Sequence, residues 1–184
     1  PEKLMGWLPL SEGKSGQATV RSDNPFHSAN PHYLRLESTA GGFGIINEGF
    51  RGMGVRAKEA YDFSVQARLI EGSGTLRIEL INPGGEVLSS GRLNIPSPDW
   101  KRHSLKITPK ATEPKARLRL QLDGNGTVAM DMVSLFPRKT WKNRPGGLRQ
   151  DLVQMLADLK PGFLRFPGGC IVEGSELDRR YQWK

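Results

Sequence analysis

Cysteine is almost missing: Cys170 is the only one in 184 residues. A single thiol excludes an intramolecular disulfide and any zinc site built from cysteines, and it leaves the redox compartment open. Long apolar runs are missing as well. Nothing approaches the ~20 consecutive apolar residues of a membrane helix, and the opening Pro1-Glu2-Lys3-Leu4-Met5-Gly6 holds no apolar signal core. The sequence as it stands carries neither a membrane span nor an export address. Histidine is scarce, and His27, His32 and His103 are too scattered to form a metal set by spacing. His27 and His32 read as solvated loop residues. There is no internal repeat and no low-complexity segment. The start at Pro1 and the stop at Lys184, after Tyr181-Gln182-Trp183, create the expectation of a piece from a longer protein.

What is present is one ordinary domain plus some extra. A chain of this length can bury roughly 70% of the surface its unfolded form exposes, so a core can form without staples. The net charge is +8, from 27 Lys and Arg against 19 Asp and Glu, and the excess is concentrated late. Residues 138–184 hold 10 bases and 5 acids, whereas residues 1–137 hold 17 and 14. Arg138, Lys139, Lys142, Arg144 and Arg149 follow one another without an acid between them. Such a run could track phosphates. A solvated interdomain segment facing acidic surface elsewhere is the favoured reading, and neither nucleic acid nor membrane is expected as a partner.

From Gln17 to Phe136 apolar residues recur with period two, as in half-buried strands. Leu34 and Leu36; Phe63, Val65, Ala67 and Leu69; Leu76, Ile78 and Leu80; Leu105 and Ile107; and Leu118, Leu120 and Leu122 all alternate with polar neighbours. Arg117, Arg119 and Gln121 point the other way. The spacers, such as Asn82-Pro83-Gly84-Gly85 and Asp123-Gly124-Asn125-Gly126, carry turn chemistry. Roughly eight or nine short strands with no helix between them predict a mainly β fold, an antiparallel jelly-roll β-sandwich. In Val128–Phe136 both parities are mostly apolar, which predicts a strand covered on both faces or a bulge near Met132.

After Phe136 the period changes. Leu148, Leu152, Met155, Leu156 and Leu159 form one helical stripe bounded by Pro161, and Phe163-Leu164-Arg165-Phe166 reads as a short strand ended by Pro167-Gly168-Gly169. A helix feeding a strand that ends in glycines is an α/β signature, foreign to the sandwich. The expected organisation is a jelly roll over residues 1–137, a basic linker over 138–147 and the start of an α/β unit over 148–184. That last part is incomplete by itself, because a lone strand and a one-sided helix have no neighbours to pair or pack with.

Few residues carry chemistry on their own. Asn47-Glu48 imitates the acid of barrel glycosidases, but it sits among sandwich strands with no second carboxylate placed beside it, so Glu48 reads as a surface turn residue. Asp131 could contribute to a calcium site, although one acid does not make a cage. Trp7, Phe50, Tyr61 and Trp100 could stack on sugar rings, while Trp100 just before a strand reads more readily as a core anchor. Phe163 through Gly174 is the sharpest local signal. It fits either the catalytic face of a parallel barrel, where glycines admit substrate to the backbone, or an ordinary glycine turn.

Residues 149–156, Leu159-Lys160-Pro161-Gly162-Phe163-Leu164-Arg165-Phe166-Pro167-Gly168-Gly169-Cys170-Ile171-Val172-Glu173-Gly174 and Tyr181-Gln182-Trp183-Lys184 closely resemble the α-L-arabinofuranosidases of glycoside hydrolase family fifty-one. Upstream, Gly42–Met53, Tyr61-Asp62-Phe63 and Met130–Pro137 are similar to the carbohydrate-binding-like jelly roll of its bacterial and plant branch, a galactose-binding-like sandwich. The resemblance implies a parent enzyme that removes terminal arabinofuranosyl groups from plant cell-wall arabinans or arabinoxylans with retention, on a (β/α)8 barrel. One Glu would act as acid and base and a second as nucleophile.

Both of those Glu residues lie on later barrel strands, so neither role falls on Glu173 or Glu176. The resemblance also puts a first barrel segment before the sandwich and the rest of the barrel after Lys184. It places Arg165 and the Gly168-Gly169-Cys170 turn near the sugar subsite, with Arg165 orienting a carboxylate and the turn offering N–H groups to hydroxyls. These 184 residues alone are therefore expected to be inactive. No cofactor is expected; the partners would be arabinose-containing polysaccharide and the remaining barrel, and the cellular address is not readable from these residues, a secreted or periplasmic parent being compatible with the resemblance. An autonomous carbohydrate-binding module is the alternative. An exposed aromatic pair on a sheet face would favour that module, and a face of Arg and Gln without aromatics would weaken it.

Overall fold

A computed structural model describes residues 4, 6–10, 15–40, 42–165 and 176. The strands among them run in chain order as β1 (Trp7–Pro9), β2 (Ser15–Arg21), β3 (Tyr33–Ala40), β4 (Phe43–Asn47), β5 (Met53–Val55), β6 (Tyr61–Gly72), β7 (Thr75–Ile81), β8 (Val87–Asn94), β9 (Lys101–Ile107), β10 (Glu113–Asp123) and β11 (Gly126–Pro137). One sheet, here sheet A, has the order β1-β4-β10-β7-β8, with β5 also paired to β10; sheet B has the order β2-β3-β11-β6-β9. Neighbouring strands pair antiparallel throughout. Eleven strands replace the eight or nine expected. The difference includes β1 and β5, three residues each, which are too short for a two-residue period to declare itself.

The alternation does what the sequence implies. Leu76, Ile78 and Leu80 of β7 and Leu120 and Leu122 of β10 face Phe63, Val65, Ala67 and Val128 of sheet B, all fully buried in one continuous core. The turns also interlock: Ser73 N–H donates to the Asn125 carbonyl at 2.8 Å. A β-carbon on Gly126 would lie 2.3 Å from the Ser73 carbonyl oxygen, so this crossing admits only glycine.

Both expectations for the last strand hold in different halves. Val128, Ala129 and Met130 are buried in succession. Beyond them the pairing with β6 shifts register between Asp131 and Ser134, and Met132 sits at φ 49°. Asp131 Oδ1 accepts the Met132 N–H at 2.7 Å and so holds the bulge.

After β11 the chain turns through a short 3-10 segment (Trp141–Asn143) into helix α1 (Gln150–Asp158). Residues 138–147 are folded back on themselves: Thr140 is buried and its hydroxyl donates to the Arg144 carbonyl. The short strand expected at Phe163–Phe166 does not form over its described residues, 163–165. A strand needs an edge to pair with, and no described strand borders these residues.

Candidate functional site

Arg165, the one described member of the expected sugar subsite, is exposed and follows α1 without strand neighbours; Gly168, Gly169 and Cys170 lie outside the described residues. The helix that leads to them is amphipathic as the spacing predicts, and its stripe is bare. Leu152, Met155 and Leu156 of α1 and Leu159 at its C-terminal cap are 50–74% exposed; Leu148, expected in the same stripe, precedes the helix and is exposed too, and Phe163 and Leu164 extend the same apolar character.

The first turn of α1 is tied to the end of the sandwich. Arg149 grips Asp151 with two hydrogen bonds, Nε to Oδ1 at 3.1 Å and Nη2 to Oδ2 at 2.6 Å, and Arg56 of the sandwich reaches Asp151 Oδ2 at 3.6 Å. The hydrogen bond from Arg149, more than any other influence, holds the Asp151 carboxyl down at about 2, with smaller help from the Leu152 N–H and the Arg56 charge. An acid in the first turn also meets the positive end of the helix. Backbone bonds fix the same junction, Trp141 N–H to Leu148 O at 2.9 Å and Arg138 N–H to Ala60 O at 2.9 Å. Between sandwich and helix lies a cleft of about 570 Å³, lined by Arg56, Tyr61, Lys139, Arg149, Asp151 and Gln154 among others.

The aromatic candidates do not form one platform. Tyr61 is buried and its hydroxyl accepts the Arg56 N–H at 2.9 Å. Trp7 packs partly against the core, while Phe50 is 91% exposed on a turn with the Arg51 guanidinium over its ring. Trp100 anchors a loop rather than offering a free face: it stands edge-on to Tyr33 and Phe26, lies under Arg68 and donates Nε1–H to the Asn24 carbonyl. Glu48 pairs with Arg117 at 2.9 Å, and Asn47 Oδ1 caps the following turn through the Gly49 N–H, so this Asn-Glu pair serves the sandwich. His27 Nδ1 accepts the Ala29 N–H inside its own loop, and burial pushes the His103 imidazole below its ordinary value. Among the described residues no three His, Cys, Asp or Glu side chains gather as a metal set.

A feature the sequence reading missed is the ion network on the outer face of sheet A. Glu79, 4% exposed, receives Arg119 Nε at 2.6 Å and Ser90 Oγ at 3.3 Å, while Arg77 and Arg92 converge on Asp123. The alternating Arg117, Arg119 and Gln121 were the visible signal; the acids that answer them come from other strands and have no local signature. This face of paired charges carries no aromatic ring among these residues, so it lacks a surface on which a sugar would stack.

Comparison with known proteins decides what the architecture belongs to. A family profile described as "Alpha-L-arabinofuranosidase 1 domain" matches residues 155–184. The chain is 34% identical over 193 residues to an extracellular exo-α-L-arabinofuranosidase of Streptomyces chartreusis, across 98% of this chain and 22% of that one. It superposes on an arabinose-bound α-L-arabinofuranosidase of glycoside hydrolase family fifty-one with a TM-score of 0.84 and 32% identity, over 98% of this chain and 30% of the other. Over nearly its whole length the chain matches a segment of the family fifty-one α-L-arabinofuranosidases. An Arabidopsis thaliana relative, α-L-arabinofuranosidase 1, is 37% identical over 149 residues, 79% of this chain and 22% of its own. The chain thus spans less than a third of these arabinofuranosidases, and sandwich and helix together are the part it shares with them.

Proposed function

We propose that these 184 residues are the jelly roll and barrel opening of a retaining arabinofuranosidase, which removes terminal α-L-arabinofuranosyl groups from plant cell-wall polysaccharide. The observation that carries this reading is the posture of α1. Its first-turn Asp151, braced by Arg149 at the helix cap, reaches Arg56 of the sandwich, and its apolar stripe stands exposed as a ready surface for further barrel elements. The sandwich then serves as a base that orients the barrel. We assign residues 1–137 to the jelly roll, 138–147 to the connection and 148–184 to the barrel opening, with Arg165 and the Gly168-Gly169-Cys170 turn beside the sugar.

In the proposed mechanism both carboxylates of the double displacement come from later barrel strands, and this segment supplies positioning. Arg165 would hold a carboxylate in place by charge-assisted hydrogen bonds, and the glycine turn would let a sugar hydroxyl reach backbone N–H groups. The purified 184-residue chain is therefore expected to leave an aryl α-L-arabinofuranoside intact. Release of the aryl group above a blank preparation would overturn the reading. In the protein that carries this segment with a complete barrel, Arg165→Ala should cut kcat/KM by about 10²-fold or more if it orients a reacting carboxylate. An unchanged kcat/KM would remove Arg165 from the site. A second reading, that the sandwich itself grips glycan, finds one exposed ring, Phe136, beside a hydroxyl-lined groove on sheet B in place of the expected aromatic pair.

A further inference from the structure

The outer face of sheet B differs from that of sheet A in having room. Two adjoining hollows, about 350 and 470 Å³, run along β6, β9 and β11 and share Ser64, Arg102 and Ser134 as common lining. The register explains the trough: Ser64 pairs with Ser134 on one side and Ser104 on the other, so three short side chains stand in a row across the sheet. Larger groups rise at the borders. Phe136, 44% exposed, stands in the row of Asp62 and Lys106, with Pro145 and Gly146 of the folded connection beside it. On the other side the bulge lifts Met132 to 52% exposure at a positive φ that a residue with a side chain rarely adopts. Strain of this kind, kept where it re-aims a side chain at the edge of a trough, is a recurrent mark of binding sites.

The chemistry of the lining selects a ligand. Ser64 and Ser134 hydroxyls bond each other at 2.8 Å, and Arg102 Nη2 donates to Ser64 Oγ at 3.3 Å. Among the described residues Arg102, Lys106 and Asp62 have no ion-pair partner, in contrast with the mutually neutralised charges of sheet A. Of the charged side chains that line the hollows, Arg102 and Lys106 stand against Asp62, so the trough presents donors and acceptors with a net of one positive charge. That combination suits an uncharged, hydroxyl-rich chain with an apolar C–H face for Phe136, and it disfavours a polyanion. From Asp62 to Gln66 the trough follows about 13 Å of strand, enough for two or three sugar units.

We infer that the groove floored by Ser64, Ser104 and Ser134 and bordered by Phe136, Arg102 and Met132 is a glycan-binding site for a neutral pentose polysaccharide, separate from the barrel's sugar subsite. The choice of a pentose polymer rests on the proposed arabinofuranosidase reading; the groove does not.

The test is affinity electrophoresis of the 184-residue chain in gels containing arabinan, arabinoxylan, xylan or polygalacturonate. Phe136→Ala and Arg102→Ala are run beside Arg92→Ala on sheet A, and circular dichroism confirms that each variant is folded. Retardation by at least one of the three neutral polymers is expected, weakened about tenfold by either groove substitution and unchanged by Arg92→Ala. Absence of retardation in all three neutral gels would overturn the inference, as would retardation that both groove variants retain. Retardation confined to polygalacturonate would overturn the neutral assignment. Hydrolysis of an aryl arabinofuranoside by the protein with its complete barrel is measured separately. Activity there without polymer retardation by the chain sinks the groove alone, and retardation without activity sinks the enzyme reading and leaves the groove.

Discussion

The sandwich and the helix that follows it obey the same patterning rule with opposite results. Leu76, Ile78, Leu80, Leu120 and Leu122 recur every second residue and are fully buried, whereas Leu152, Met155 and Leu156 of α1, with Leu159 at its cap, recur at helical spacing and stand at least half exposed. The difference is in what each element can reach. A strand of sheet A has sheet B opposite it within the same 137 residues; the helix has a polar seam to the sandwich and nothing described across its apolar side. Amphipathicity therefore states a demand for a partner, and only the sandwich meets that demand by itself.

The most direct way to break this comparison is a matched pair of truncations. Leu120→Ala empties a site with no solvent contact and should cost about 2–5 kcal/mol, because the lost transfer energy adds to the cavity left behind. Leu152→Ala on the helix should change stability by less than about 0.5 kcal/mol, as exposed positions do. Urea denaturation of the two variants gives the answer. Comparable losses would mean that the stripe is packed in solution.

A second contrast lies inside sheet A. Glu79→Ala removes the carboxylate that Arg119 binds almost out of water and should cost about 3 kcal/mol, near the lower end for breaking a buried pair because Arg119 keeps some solvent. Glu48→Ala opens the more exposed pair with Arg117 and should cost under about 1 kcal/mol. Equal shifts in the denaturation midpoint would show that burial does not separate the two. Between those two, Gly126→Ala forces a β-carbon onto the Ser73 carbonyl and should cost about 1–3 kcal/mol by overpacking; thermal unfolding that leaves the Tm unmoved would show that the two turns can separate freely.

How much of this was legible beforehand follows from the range of each interaction. The faces of β6, β7 and β10 could be read directly, since burial alternates with sequence and Leu118, Leu120 and Leu122 need only their own neighbours to declare a side. The bulge at Met132 showed itself as a break in parity. The groove on sheet B did not, because Ser64, Ser104 and Ser134 are unremarkable in sequence and become a trough only when three strands bring them into one row. Glu79 was hidden for the same reason: its partner Arg119 lies forty residues away. At the barrel opening, sequence resemblance reached further than local physics. It pointed to Arg165 and the glycine turn, whereas the described part of residues 163–166 lacks the neighbouring strand that would make it one.

The finest test of the contrast addresses the seam itself. Pairing with Arg149 lowers the Asp151 carboxyl from 3.8 to about 2 in the folded chain, so its contribution to holding α1 is complete above the ordinary carboxylate value and is lost as the pH falls toward 2. Because the pair is exposed, the effect belongs to the junction and not to the stability of the whole domain. Amide chemical shifts of Trp141 and Gly147, whose N–H groups bond across the connection, should move together between pH 4 and about 2, while the Leu120 amide in the core stays still. In Asp151→Asn that shared titration should vanish, since no carboxylate remains to lose its charge. A junction titration that survives the substitution would mean that another carboxylate drives it, and the part given to Asp151 in the seam would have to be given up.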